Sequence, residues 1–401
     1  MNTNPKYAFR YKVSREVLCN YLAKTVTLSC HHTLLNAETE SHRKQFILNT
    51  GAKYIQRADT CWNPRIDEYT DYPMTKAFID DVHKEDPDVV FEACVFETVT
   101  KKLVNEIPIP AWVFLAYGLE PEKRNFDYDK MIFPNGKYVN HWTTDQSVPD
   151  MTQLETQMFF YYRSCTYITL GYEALHLGQV HLVGEDDINW ECWTKLCKMI
   201  REFATKYARR NFVFINAHTC GIIGSDGKLL FDFHAEPARP MADPNDVPHP
   251  PTEDNPQRCY LSNEVRGDFK IIYGHSLGGM TYSGWECDSL PYLVEIDNFG
   301  DVYEQINIPD PTDVRCWGMD EINWFANQPA WYRAEFMKYA YNWMRTEAKG
   351  EGYFAFVGER VCSYYNENKE VVGHYYYAYD PAYFEGGNND EAVIKEIFSN
   401  S

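Results

Sequence analysis

Carboxylates set inside otherwise apolar runs are the first chemistry this sequence offers. Glu295 stands in YLVEIDN between Val294 and Ile296, where an unpartnered charge is too costly to be incidental. Glu173 follows YITLG and opens EALHLGQ. Two carboxyl groups, one protonated and one ionised, can protonate a leaving oxygen and attack the carbon it leaves. A separation of about 5–5.5 Å implies retention of configuration, and about 6.5–9.5 Å inversion. Polar residues gather at the ends of other apolar runs too: His31 and His32, Arg57 and Asp59, Glu92 and Glu97, Asn216 and His218, His275, Asp297 and Asn298, and Glu359 and Arg360. His31, Arg57, Asp59, Asn216, His218, His275 and Asp297 suit hydrogen bonding to ligand hydroxyls or tuning of the two carboxylates. Trp62, Trp142 and Trp285 fall in loops, where an indole can stack on a ligand ring. Each also has a plainer reading, since Glu173 favours a helix N-terminus and indoles fill cores.

Eight apolar runs read as strands: 26–30, 54–58, 89–93, 167–171, 212–216, 269–273, 292–296 and 353–357. They are near-continuous β-branched and aromatic stretches, the pattern of strands buried on both faces. Between them the spacing is helical. Trp193, Leu196, Cys197, Ile200, Phe203, Ala204 and Tyr207 make one face, Met74, Phe78, Ile79 and Val82 another, and Leu154, Met158 and Tyr161 a third. Alternation of this kind predicts a parallel sheet, and eight strands predict a (β/α)8 TIM barrel. The chain reads as a single catalytic domain over 1–401, with the barrel core at about 26–360 and a C-terminal extension over 361–401. Long βα loops cover 94–166 and 217–268, and the second holds a small inserted hairpin turning at Asp226-Gly227. The DFHAE segment after that turn reads as a hairpin strand with a solvated polar face, and Glu236 emerges from it.

Polar residues past strand C-termini converge on one mouth in such a fold. A Glu beyond the fourth strand with a Glu at the end of the seventh resembles the large clan of retaining (β/α)8 glycoside hydrolases. The resemblance covers about 26–360 at the level of architecture. It implies an acid/base at Glu173, a nucleophile at Glu295, a carbohydrate substrate, and neither cofactor nor metal. The sequence departs from the clan in having Tyr172, not Asn, before Glu173.

Three other readings stand beside it. Histidines after strands one, five and six resemble amidohydrolase-type metal barrels, but strand one offers adjacent His31-His32, whose side chains point to opposite faces. GHSLGG at 274–279 matches the nucleophile elbow of serine esterases, with Ser276 as nucleophile and His374 as base, but that elbow needs a helix immediately after the serine. A carbohydrate-binding barrel without turnover is the third. Composition favours neutral ligands: net charge is −20 and aromatic residues make up 16% of the chain, which excludes a phosphate-backbone partner. No nucleotide-binding glycine motif and no membrane span occur. The 12 cysteines lack a CxxC pair and read as reduced thiols, leaving a cytoplasmic or a secreted compartment open.

Overall fold

The structure is a computed structural model that describes residues 4–29, 37–59, 62, 68–238, 240–243, 245–246, 249, 251–262, 276–296, 321–347, 351–365 and 371–400. Nine strands form one hydrogen-bonded sheet: β1 Thr25–Leu28, β2 Tyr54–Asp59, β3 Val90–Cys94, β4 Ala174–His176, β5 Phe214–Asn216, β6 His234–Pro237, β7 Tyr292–Glu295, β8 Gly352–Tyr365 and β9 Val371–Tyr377. Their order is β5-β4-β3-β2-β1-β8-β7-β6, with β9 antiparallel on β8. The registers of β1 with β2 and β8, of β7 with β8, and of β4 with β3 and β5 are all parallel. Sequential parallel order over eight strands is that of the (β/α)8 class, and the fold class is α/β of this kind.

Two of the eight strand positions differ from expectation. YITLG is the last turn of helix α4, which spans Leu154–Leu170 and follows the long helices α1 Arg15–Leu22, α2 Ala37–Thr50 and α3 Glu68–Glu85. The β-branched residues Thr166, Ile168 and Thr169 favour a strand locally, but the buried face begun at Met158 and Tyr161 continues through Cys165 and Ile168. The helix stops at Gly171, whose φ of 108° is one that L residues avoid. The fourth strand therefore follows Glu173 instead of preceding it. The sixth strand of the sheet is His234–Pro237, from the DFHAE segment, and Asp232 and His234 are buried, not solvated. The turn at Gly227 forms, with Ile223 bridged to Leu229. FKIIY lies outside the described residues.

The chain divides into two compact units. The first, residues 1–18, 57–234 and 277–290, holds β3, β4 and β5 with α4 and helix α5, Glu191–Tyr207. On α5 the expected face is buried at Trp193, Leu196, Cys197, Ile200 and Ala204, while Tyr207 is exposed. Phe160 of α4 meets Trp193 edge to face at 5.6 Å. On β3, Phe91 packs on Phe78 of the helix Glu68–Glu85, so Glu92 faces the other side of the sheet.

The second unit, residues 19–56, 235–276 and 291–401, holds β1, β7, β8 and β9. Phe356 of β8 packs on Tyr341 and Phe398, which belong to the helices Ala330–Glu347 and Glu391–Ser399. Ala355 therefore points away from those helices, and Glu295, in register with Ala355, does the same. Among the described residues nine cysteines are free, and no helix is long and apolar enough to cross a membrane.

Candidate active site

In the first unit the ends of β4 and β5 are level. Cys94, His176 and Asn216 share one register row, and Glu92 lies two residues earlier on β3 with its side chain on the same face. These side chains form a hydrogen-bonded chain. Asn216 Nδ2 donates to Glu92 Oε2 at 2.7 Å, and a second oxygen, Glu92 Oε1, accepts the Arg57 backbone N–H at 3.1 Å. Asn216 Oδ1 meets His176 Nδ1 at 2.7 Å. Arg57 Nη2 donates to His218 Nε2 at 3.0 Å, so that nitrogen accepts and the ring proton sits on Nδ1. The rings of His176 and His218 stand edge to face at 4.5 Å.

Arg57 reaches this cluster through an irregular backbone. Its φ of 52° is left-handed, an uncommon state for a non-glycine residue inside a strand. The guanidinium lies over Phe96 at 5.7 Å. Phe96 also contacts Trp62 at 5.1 Å, and Trp62 meets Trp142 edge to face at 5.4 Å. Trp62 Nε1 donates to Gln146 Oε1 at 3.3 Å. One strand-end cluster thus joins Arg57, Glu92, Asn216, His218, Trp62 and Trp142 from the sequence reading with His176 and Phe96. Around it, Glu97 accepts from the backbone and side-chain N–H groups of Gln179 at 3.0 and 3.1 Å. His181 bonds Thr219 at 3.0 Å, tying the segment after β4 to the one after β5.

His176 is the residue the sequence reading missed. Placing the fourth strand at 167–171 left ALH unassigned, although a histidine closing an apolar triplet was a usable signal. Glu92 was legible as a carboxylate inside an apolar run.

Other expected residues are elsewhere. Glu173 precedes β4, at the opposite end of that strand from His176. It is buried, and Arg209 Nη2 bonds its Oε2 at 2.5 Å while Arg210 Nε bonds its Oε1 at 2.7 Å. Burial pushes this carboxyl up, but Arg210 and Arg209 outweigh it and the net shift is downward. An acid/base must hold a proton near neutral pH, so the acid/base role is withdrawn from Glu173. Asp59 is fully buried and accepts from Tyr167 Oη of α4 at 3.2 Å, which makes it a strand–helix tie. Trp285 donates to the Val13 carbonyl at 3.0 Å and anchors the N-terminal segment. His31, His275 and Asp297 lie outside the described residues. Ser276 is followed by a hairpin, Gly279–Met280 paired with Glu286–Cys287, where a nucleophile elbow needs a helix.

Glu295 closes β7 in the second unit and is 1% exposed. Its carbonyl accepts the Ala238 N–H at 2.5 Å.

No protein-family model matches the chain, and no curated protein matches it. Solved structures similar to parts of it include a debranching enzyme from Nostoc punctiforme, at 12% identity over 48% of this chain and 40% of that one, with a TM-score of 0.30. An α-amylase from Lactobacillus plantarum matches at 12% identity, over 54% of this chain and 53% of that one, with a TM-score of 0.33. An α-galactosidase from Thermus thermophilus matches at 12% identity, over 56% and 46%, also at 0.33. The matched region spans about half the length of these proteins or less. At such scores the likeness is one of architecture and says nothing of substrate.

Proposed function

We propose that the chain is a glycoside hydrolase acting on an oligo- or polysaccharide through two carboxylates, Glu295 and, in place of Glu173, Glu236 of β6 as the acid. The observation that carries this reading is the strand-end cluster of the first unit, where half-buried His218, bonded to buried Arg57, is joined through Phe96 to the half-buried Trp62–Trp142 pair. Fixed hydrogen-bonding groups next to indole faces suit a sugar, which offers hydroxyls at its rim and C–H groups on its faces. A chain of net charge −20 also suits a neutral ligand better than an anionic one.

Glu295 is proposed as the nucleophile. It ends an otherwise apolar strand and faces away from the helices that pack on β8, as a carboxylate in the mechanism must. Glu295→Gln is nearly isosteric, so it leaves the fold intact and lowers kcat by several orders of magnitude. The assay is release of nitrophenol from a panel of aryl glycosides, with reducing-end release from plant and microbial polysaccharides. A variant keeping more than about a tenth of wild-type kcat, a loss under about 1.4 kcal/mol, removes Glu295 from the mechanism. Sugar binding by the wild type without turnover on any substrate supports a binding protein instead.

A further inference from the structure

Helix α5 carries two stripes, and only one of them is spent on the core. Trp193, Leu196, Cys197, Ile200 and Ala204 are buried. Met199, Glu202, Phe203, Lys206 and Tyr207 follow the i, i+3, i+4, i+7, i+8 spacing of a second stripe and line a cavity of about 780 Å³. That volume falls in the roughly 300–1,000 Å³ range of ligand pockets. Thr166 and Thr169 of α4 line it too, as do Trp112 and Leu115 of the short helix Ala111–Ala116. The cavity is reachable from solvent: Trp112 is 38% exposed, Tyr207 60% and Leu115 63%. The two threonines belong to the end of α4 that leads into β4, so this part of the cavity lies toward the opposite end of that strand from His176.

The lining selects a ligand by its chemistry. Phe203 meets Trp112 at 6.1 Å and 32°, and Tyr207 at 4.4 Å and 38°, so three rings are joined at shallow angles. Thr166 and Thr169 each donate their hydroxyl hydrogen to a backbone carbonyl, at 2.8 and 2.7 Å, which leaves their oxygens able to accept. Glu202 and Lys206 are exposed, one helical turn apart, and among the described residues neither is held in an ion pair. A purely apolar ligand would strip water from these groups without replacing its hydrogen bonds. Glu202 and Lys206 cancel in charge and give neither an anion nor a cation a net partner, and the net charge of −20 further disfavours an anion. A neutral ligand with hydroxyls at its rim and C–H groups on its faces satisfies the rings, the acceptors and the ammonium together. We propose that this cavity is a second carbohydrate site, holding a stretch of polysaccharide away from the strand-end cluster. The choice of a polysaccharide as ligand rests on the glycoside reading, but binding here does not require cleavage.

Affinity electrophoresis of the full chain, in native gels carrying soluble starch, galactomannan, arabinoxylan or mixed-linkage glucan, reads binding without turnover. The wild type is expected to be retarded by at least one of them. Trp112→Ala combined with Tyr207→Ala is expected to weaken that binding about tenfold in Kd. KM on the same polymer should rise by a like factor, while kcat/KM on aryl glycosides stays unchanged. Circular dichroism and thermal melts check that the variant is folded, and Tyr207→Ala alone, at a ring mostly open to solvent, serves if the pair does not fold. A wild type retarded by none of the polymers overturns the proposal, and so does unchanged retardation of a folded variant. An equal fall in aryl-glycoside turnover also overturns it, since the cavity would then belong to the catalytic centre. If binding weakens as described but no glycoside is cleaved, the glycosidase reading falls and the second site stands. If glycosides are cleaved and the variants bind polymer as the wild type does, the reverse holds.

Discussion

Glu173 and Glu295 are both buried carboxylates, and what distinguishes them is company. Glu173 is held between two guanidiniums, each still partly open to water. Removing its charge leaves Arg209 and Arg210 facing each other, so Glu173→Gln is expected to cost about 2–4 kcal/mol, less than a fully buried pair because both arginines can rehydrate. Turnover per folded molecule should be unchanged. The pH dependence follows from a folded carboxyl below its ordinary value: the stabilisation is complete above the unfolded pKa of about 4.3 and is lost as pH falls through the lower folded value. Thermal melts of wild type and Glu173→Gln from pH 7 downward should therefore converge in acid. Parallel curves would mean that Glu173 is not ionised in the folded chain.

At the scale of elements, the strand-end cluster depends on how the chain leaves β4. Gly178 has a φ of 65°, and a Cβ there would overlap the Glu97 carboxylate. The carboxylate needs that space to accept from Gln179, and the Gly178 carbonyl accepts the His218 N–H at 2.9 Å. Gly178→Ala adds a backbone conformation that alanine resists to a clash with a buried charge. The expected loss is about 2–4 kcal/mol, with His218 displaced. Chemical denaturation measures the first and the His218 ring signals the second. An alanine variant with wild-type stability would mean that this turn relaxes freely. Gly227→Ala is the control, since its φ is 77° but nothing lies within 4 Å of the added carbon.

Across the whole molecule the excess of acidic over basic residues gives a net charge of −20. Most of that charge is solvated and mutually repulsive, and salt screens it over a Debye length of about 10 Å at 0.1 M. The melting temperature at pH 7 is therefore expected to rise between about 10 mM and about 200 mM sodium chloride. The ion pair of Arg43 with Glu359 is almost wholly buried and should contribute little to that rise. A melting temperature that falls with salt would show that exposed ion pairs outweigh the repulsion.

The alternation of buried β-branched runs with 3.6-residue helical spacing determined the fold class by itself, because each element's period is written in its own residues. Local signals likewise carried the buried face of α5 and the strand ending on Glu295. Strand boundaries were another matter. Thr166, Ile168 and Thr169 have strand propensity, yet they complete a helix, because packing of a continuous apolar face outweighs local preference. That single shift moved Glu173 from one end of a strand to the other and hid His176. Sequence named Arg57, Glu92, Asn216 and His218 as polar residues near strand ends, but not their bonds. Register decided those: a parallel sheet places residues far apart in the chain within 3 Å of one another, and no local pattern encodes which rows align.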